Sequence, residues 1–147
     1  MTLTPHMQEI LTVVLAESRR LEAVPDRPPP GMDREEWRDL WRERKEHEEF
    51  GVPHNLARWL GHAPTASESA VFSRALRNME AMGLVVRVNR WGGSKTTHVR
   101  LTATGRTEAE RLVRQQEAAL ERLLAGVVLN LDDVPGAAQQ APGDAGN

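Results

Sequence analysis

A pair of alternating segments joined by a glycine-containing turn constrains the fold of this chain more than any other feature. The apolar or β-branched residues that recur with a period of two are Leu84, Val86 and Val88, then Thr97, Val99 and Leu101. This period is typical of half-buried strands. Trp91-Gly92-Gly93-Ser94 lies between the segments, and its glycines permit the positive φ angles of a tight turn. The pattern predicts a two-stranded hairpin with these residues inward and a basic face outward.

Helix signals surround the hairpin. They consist of capping residues, apolar residues at helical spacing, and glycines where a pattern stops. Thr65 and Glu68 form one such capping pair, ahead of a buried face at Phe72, Leu76 and Met79. The predicted helices run from Thr4-Pro5 to about Glu22, from Asp33 to Glu49, from Val52-Pro53 through His54 to Leu60, from Thr65 to Met82, and from Thr107 with Glu110 onward.

The segment between the first and third of these helices looks like an insertion. Residues 24–31 contain three successive prolines, which favour an extended, semi-rigid connector. Trp37, Leu40 and Trp41 then share one face of an otherwise charged helix. We expect the tryptophans to dock on the protein's own core, with a subunit contact or a ligand-pocket wall as alternatives, and the acidic side chains between Glu35 and Glu49 to point outward.

The charge changes sign along the chain. Residues 1–50 carry 8 basic and 12 acidic side chains, residues 51–107 carry 8 and 2, and residues 108–147 carry 3 and 7. A polyanionic partner would therefore meet the central segment, and the acidic flanks would face elsewhere.

The composition and motifs of the chain exclude several other classes of functional site. The chain has no cysteine, which rules out disulfides, thiolate metal sites and thiol nucleophiles. His47-Glu48-Glu49 lacks the second histidine that a zinc helix requires, and no phosphate loop or nucleophile elbow is present. We therefore expect no metal, no cofactor and no enzymatic activity. No apolar run approaches the length of a membrane span and no secretory signal is visible, so a cytoplasmic, nucleoid-associated protein is expected.

The order of elements matches a winged helix-turn-helix. The expected fold is mainly α with a small β-hairpin, and it has an inserted helix and a C-terminal dimerisation helix. The domain would cover residues 1–131, with the insertion at about 23–51, and the Pro, Gly and Ala-rich residues 132–147 would be a disordered tail.

Three segments of the sequence resemble winged-helix transcriptional regulators of the MarR type and, more loosely, their PadR-like relatives. They are Leu3-Thr4-Pro5 with Ile10-Leu11, Phe72-Ser73-Arg74-Ala75-Leu76 with Met79-Glu80 and Gly83-Leu84-Val85, and Val99-Arg100-Leu101-Thr102-Ala103-Thr104-Gly105. The resemblance implies that residues 67–77 belong to a recognition helix and residues 87–100 to a wing. We expect the family's leading dimerisation helix, which would precede Leu3, to be missing, and the chain carries the insertion, so the family's dimer geometry and ligand pocket are not implied.

The candidate functional residues follow from these elements. Arginines one turn apart can face one groove, short hydroxyls can contact phosphates or base edges, and cations on the hairpin can neutralise the backbone. The predicted DNA contacts are Ser67, Ser69, Ser73, Arg74, Arg77, Arg87, Arg90, Lys95, His98 and Arg100. The predicted dimerisation contacts are Val113, Leu120, Leu123 and Val127.

The sequence thus predicts a dimeric, sequence-specific protein that binds double-stranded DNA and regulates transcription. The alternative is a winged helix used for protein interaction or for replication or partition assembly, since a fold does not fix a function. The sequence does not indicate whether a small-molecule effector binds.

Overall fold

A computed structural model describes residues 2–133, with side chains described as far as residue 127. This part of the chain is mainly helical and contains a small three-stranded antiparallel sheet. Contacts between residues divide the chain into two compact units, Met1–Arg111 and Leu112–Asn147. The elements are α1 (Pro5–Glu22), α2 (Arg34–Phe50), β1 (Val52–Pro53), α3 (Leu56–Leu60), α4 (Ala66–Ala81), β2 (Val85–Val88), β3 (His98–Leu101) and α5 (Ala103–Asp133).

The first helix begins where its capping residues predict. The Thr4 hydroxyl accepts a hydrogen bond from the Met7 N–H at 3.3 Å, and Pro5 occupies the first turn. One apolar face of α1 is buried and packs against α4, β3 and β1. The predicted periodicity of this helix is confirmed.

Helix α4 is also confirmed from its cap to its end. The Thr65 hydroxyl accepts from the Glu68 N–H at 3.1 Å, and the Glu68 carboxylate accepts from the Thr65 N–H at 3.0 Å. Phe72, Leu76 and Met79 are buried against α1, so the opposite face is left to solvent.

The sheet differs from the predicted two-stranded hairpin in strand number and in the phase of one strand. Its order is β1-β3-β2, with Val85 opposite Leu101 and Arg87 opposite Val99. Val85 is 1% exposed and Val86 is 44% exposed, so the inward prediction for Val86 is wrong. Three consecutive apolar residues, 84–86, leave the phase of the alternation undetermined until the register with β3 fixes it.

Residues 52–55 correct the prediction for the third helix. Val52 and Pro53 form a short edge strand against β3, and the Asn55 side chain then caps α3 by accepting from the Arg58 N–H at 3.1 Å. Proline is tolerated on an edge strand because its missing N–H is not needed there.

Helix α5 begins before the predicted Thr107 cap. Thr102 occupies the capping position, and its hydroxyl accepts from the Gly105 N–H at 2.9 Å. A Cβ at residue 105 would overlap the Leu84 carbonyl, so only glycine allows the start of α5 to lie this close to the sheet. Asp132 and Asp133, placed in the tail by the sequence, belong to α5; residues 134–147 lie outside the described part of the chain.

The inserted helix α2 packs against α1, β1 and β3. Trp37 and Trp41 are half-buried with ring centroids 6.1 Å apart, and the Trp37 indole donates to the Pro25 carbonyl at 2.8 Å. Trp37 therefore lies against the connector, and Trp41 lies beside Trp37. The expectation that all acidic side chains of α2 point outward is wrong for Glu46, which is half-buried and bonds His98. Glu43 is exposed and bonds Arg20 of α1 at the surface.

The second unit carries an exposed apolar stripe. Leu120, Leu123 and Val127 are 56%, 67% and 53% exposed, and Val113 is half-buried. Among the helices that the structure describes, none is long and apolar enough to cross a membrane.

Candidate nucleic-acid interface

The exposed face of α4 displays five of the predicted site residues. They are Ser67, Ser69, Ser73, Arg74 and Arg77, all of which are exposed. The face is open because the buried residues of α4 lie on its other side, where the helix packs on α1 and β2. Arg74 and Arg77 lie one helical turn apart, so both guanidinium groups can reach the same ligand.

The first turn of this helix carries a negative charge of its own. The Glu68 carboxylate occupies the N-terminus, and its pKa lies below the usual value because it accepts from the Thr65 backbone N–H. An ionised carboxylate there repels phosphate. The cationic end of the face therefore lies near Arg74 and Arg77, and Ser67 lies beside an acidic group.

A cleft of about 350 Å³ joins α4 to the β2–β3 hairpin. Ser73 and Arg77 line it from the helix, Ser94 and Lys95 from the hairpin loop, and Arg87 from β2. Hydroxyl donors and cations from two elements thus converge on one concave surface, which suits an anionic ligand.

His54 also lines this cleft and was not among the predicted site residues. Burial lowers the pKa of its imidazole, the positive charge of Lys95 lowers it further, and a hydrogen bond to the Thr96 backbone partly opposes both. The ring packs edge-on against Trp59 at 5.2 Å. The lowered pKa favours the neutral imidazole of His54, which can accept a proton when an anion enters the cleft.

Arg87 is held by Glu80. The Glu80 carboxylate accepts from the Arg87 backbone N–H at 2.9 Å and from its Nε at 3.0 Å. The pKa of Glu80 is lowered, first by the backbone hydrogen bond and then by the guanidinium. Arg87 reaches the cleft with its charge already balanced.

Glu46 of α2 holds the loop end of the hairpin in the same way. Its carboxylate lies 2.7 Å from His98 Nε2 and 3.2 Å from Arg90 Nη1. His98 is 3% exposed, so the structure removes it from the predicted contact surface. Arg100 donates to the Glu49 carbonyl.

The cations of these two elements therefore form two groups. Among the cations of α4 and the hairpin, the unpaired cations are Arg74, Arg77 and Lys95, which have no carboxylate partner among the described side chains of residues 2–127. The paired cations, bonded to a carboxylate, are Arg87 and Arg90. Two backbone carbonyls also accept from these guanidinium groups: Glu49 from Arg100, and Ser73 from Arg77 Nε at 3.5 Å.

Sequence reasoning missed the residues that make this division. Glu46 belongs to a charged run that looked solvated, and its partners are 44 and 52 positions away in the chain. A sequence signal for such pairing is the charge balance, since residues 1–50 have an excess of acidic side chains and residues 51–107 an excess of basic ones. Among the described residues, no three side chains of the kinds that bind metal ions come together.

Comparisons with family models, with curated proteins and with solved structures found no match for this chain.

Proposed function

We propose that this chain is a dimeric winged helix-turn-helix protein that binds double-stranded DNA in a sequence-specific manner and regulates transcription. In this proposal α3 and α4 form the helix-turn-helix, α4 enters the major groove, and the β2–β3 hairpin is the wing that meets the backbone or minor groove. The sheet and helix order are compatible with this fold.

The observation that carries the proposal is the cleft between α4 and the hairpin loop. It brings Ser73 and Arg77 of the proposed recognition helix to the same surface as Lys95 of the proposed wing. A duplex offers that pattern of acceptors, because phosphates flank each groove and base edges line its floor. Arg74, exposed one turn before Arg77, extends the cationic surface along α4.

The binding experiment measures the affinity of the full chain for a labelled mixed-sequence duplex of about 30 base pairs, long enough for two half-sites, over a range of salt. We expect affinity to fall steeply with salt, and Lys95→Ala to flatten the slope of log K against log salt by about one unit. Arg42→Ala is the matched control, because Arg42 is an exposed arginine on α2, paired only with Asp39.

Two results would contradict the proposal. One is failure of the wild-type chain to bind any duplex at low salt, and the other is equal loss from Lys95→Ala and Arg42→Ala. If the chain instead binds another protein through the cleft, the alternative of a protein-interaction or assembly module replaces DNA binding.

The proposed dimer forms through α5. The stripe of Leu120, Leu123 and Val127 leaves apolar surface in water, and a second copy would cover it with an identical stripe. A two-fold protein also suits paired half-sites.

Sedimentation at micromolar concentration tests the dimer. We expect wild type to sediment as a dimer and Leu120→Asp as a monomer, because the change would bury a charge in an apolar seam. Gln115→Asp, at an exposed position away from the stripe, should leave the dimer intact. A monomeric wild type would refute this part of the proposal.

A further inference from the structure

Trp91 is the most exposed large apolar side chain that the structure describes. It is 77% exposed at the tip of the β2–β3 hairpin, whereas Trp37, Trp41 and Trp59 are half-buried. A tryptophan can bury about 150–250 Å² of surface, so leaving one in water forgoes a large stabilisation. We therefore consider this indole as a contact for a ligand.

The backbone around Trp91 is fixed by local hydrogen bonds. Asn89 Oδ1 accepts from the Trp91 N–H at 2.8 Å, and the Asn89 carbonyl accepts from the Gly92 N–H at 3.1 Å. The Arg90 N–H donates to the Thr97 hydroxyl at 2.9 Å. Gly92 supplies the φ of +81° that the turn needs. The backbone of the tip is therefore set before binding, which lowers the entropy lost on binding.

Arg90 supports the ring from the body of the hairpin. Its guanidinium lies 5.2 Å from the Trp91 ring and 5.1 Å from the Phe50 ring, and it bonds Glu46 at 3.2 Å. The guanidinium is thus held between α2 and the tip. Trp91 is anchored at its base and open to solvent beyond it.

The surroundings of the tip select the kind of ligand. Residues 89–97 contain no acidic side chain, and Lys95 of the same loop joins Arg77 in the neighbouring cleft. An apolar wedge beside unpaired cations suits a polyanion that has flat apolar surfaces inside it. A DNA duplex has both, since apolar side chains can enter between base steps while cations hold the phosphates.

We propose that Trp91 inserts its indole between adjacent base pairs of the bound duplex and bends the DNA there. This inference rests on the proposed function. It adds a specificity element that hydrogen bonding to base edges does not supply, because easily unstacked steps accept a wedge at lower cost.

The experiment compares wild type with Trp91→Ala and Trp91→Phe on one end-labelled mixed-sequence duplex of about 30 base pairs. It measures affinity, the end-to-end energy transfer that reports bending, and indole emission. We expect Trp91→Ala to bind the duplex at least about tenfold more weakly than wild type and to leave the DNA straight. Trp91→Phe should keep part of the bend, but the quenching of indole emission on DNA binding should be lost. Trp41→Phe is the matched control and should keep affinity, bending and quenching.

The outcomes separate this inference from the proposed function. If wild type binds the duplex and Trp91→Ala shows the same affinity and the same bending, the inference is overturned and the proposed function stands. Wild type that binds no duplex overturns both. Trp91-dependent binding to vesicles containing anionic lipid, without duplex binding, also overturns both and assigns the tip to a membrane surface. Because Trp91 is exposed, thermal unfolding of the variants should match wild type, and this verifies that they fold.

Discussion

The unpaired cations, on α4 and at Lys95 of the hairpin loop, and the paired cations, both on the hairpin, lie in opposite surroundings. Arg77 and Lys95 face the cleft without a carboxylate partner in the described part of the chain, while Arg87 and Arg90 are bonded to Glu80 and Glu46. The positive balance of a segment therefore overstates the charge available to a ligand. Helix α2 pairs with Arg90 and His98 at the loop end of the hairpin, and positive charge remains on α4 and at Lys95.

The largest expected effect comes from removing both unpaired cations of α4. Arg74→Ala combined with Arg77→Ala should lower affinity for a preferred sequence by more than about tenfold, because each arginine fork on a base edge contributes about 1–3 kcal/mol. Affinity for random DNA should fall much less. The measurement is a competition titration with selected and random duplexes. Equal losses on both DNAs would show that these arginines contact only phosphate.

Changing Glu46 tests the other side of the comparison. Glu46→Gln should lower the free energy of unfolding by about 1–2 kcal/mol, because it weakens charged hydrogen bonds to His98 and Arg90. The same change frees Arg90 and should steepen the salt dependence of duplex binding. Urea unfolding and salt titrations measure the two effects. Glu49→Gln, exposed on the same helix, is the control for charge alone.

A third prediction concerns pH and the cleft. Because the pKa of His54 is lowered in the folded chain, the unfolded chain binds a proton at His54 that the folded chain does not. Stability should therefore fall as pH drops below about 6.5.

A phosphate bound in the cleft has the opposite effect on His54, because its negative charge favours the imidazolium beside Lys95 and Arg77. Duplex affinity should rise about threefold between about pH 7.5 and about pH 5.5, measured by anisotropy at constant salt.

His54→Gln should abolish that rise, whereas His62→Gln, exposed outside the cleft, should preserve it. A pH response that survives His54→Gln would show that a group other than His54 causes it.

The smallest effect is expected at Glu80. The lowered pKa of this carboxylate means that its pairing with Arg87 stabilises the fold above the usual glutamate pKa and is lost as the pH falls through the folded-state value. Glu80→Gln should cost only about 0.2–1 kcal/mol, since both groups are partly exposed. It should slightly increase binding to random DNA by releasing Arg87. Thermal unfolding near neutral pH and at about pH 3 measures the stability part, and an equal loss at both pH values would contradict it.

The elements that the sequence predicted correctly are those set by neighbouring residues. Thr4 and Pro5 start α1, and Thr65 with Glu68 starts α4, because a cap involves only residues three or four positions apart. Thr107 has the same local pattern but lies inside α5. The competing cap at Thr102 prevails because its hydroxyl also bonds the Gly83 carbonyl across the fold.

The candidate site could be predicted only as far as exposure follows helical spacing. Spacing placed Arg74 and Arg77 opposite Phe72 and Leu76, and the structure has both arginines exposed. It could not show that His98 is buried. That depends on α2 returning over the sheet, which brings together residues 52 positions apart. Long-range ion pairs leave no local pattern in a sequence that is 27% charged.

The contacts between α2 and the connector have a consequence for the denatured state. Pro25 accepts from Trp37, the Val24 carbonyl accepts from Arg44, and Asp26 pairs with Arg44 at 2.9 Å. The successive prolines of residues 28–30 follow, and proline restricts an unfolded chain as much as a folded one. The three prolines therefore lower the entropy that residues 28–30 lose on folding. An insertion with glycines in place of those prolines would keep every native contact of α2 and still be less stable.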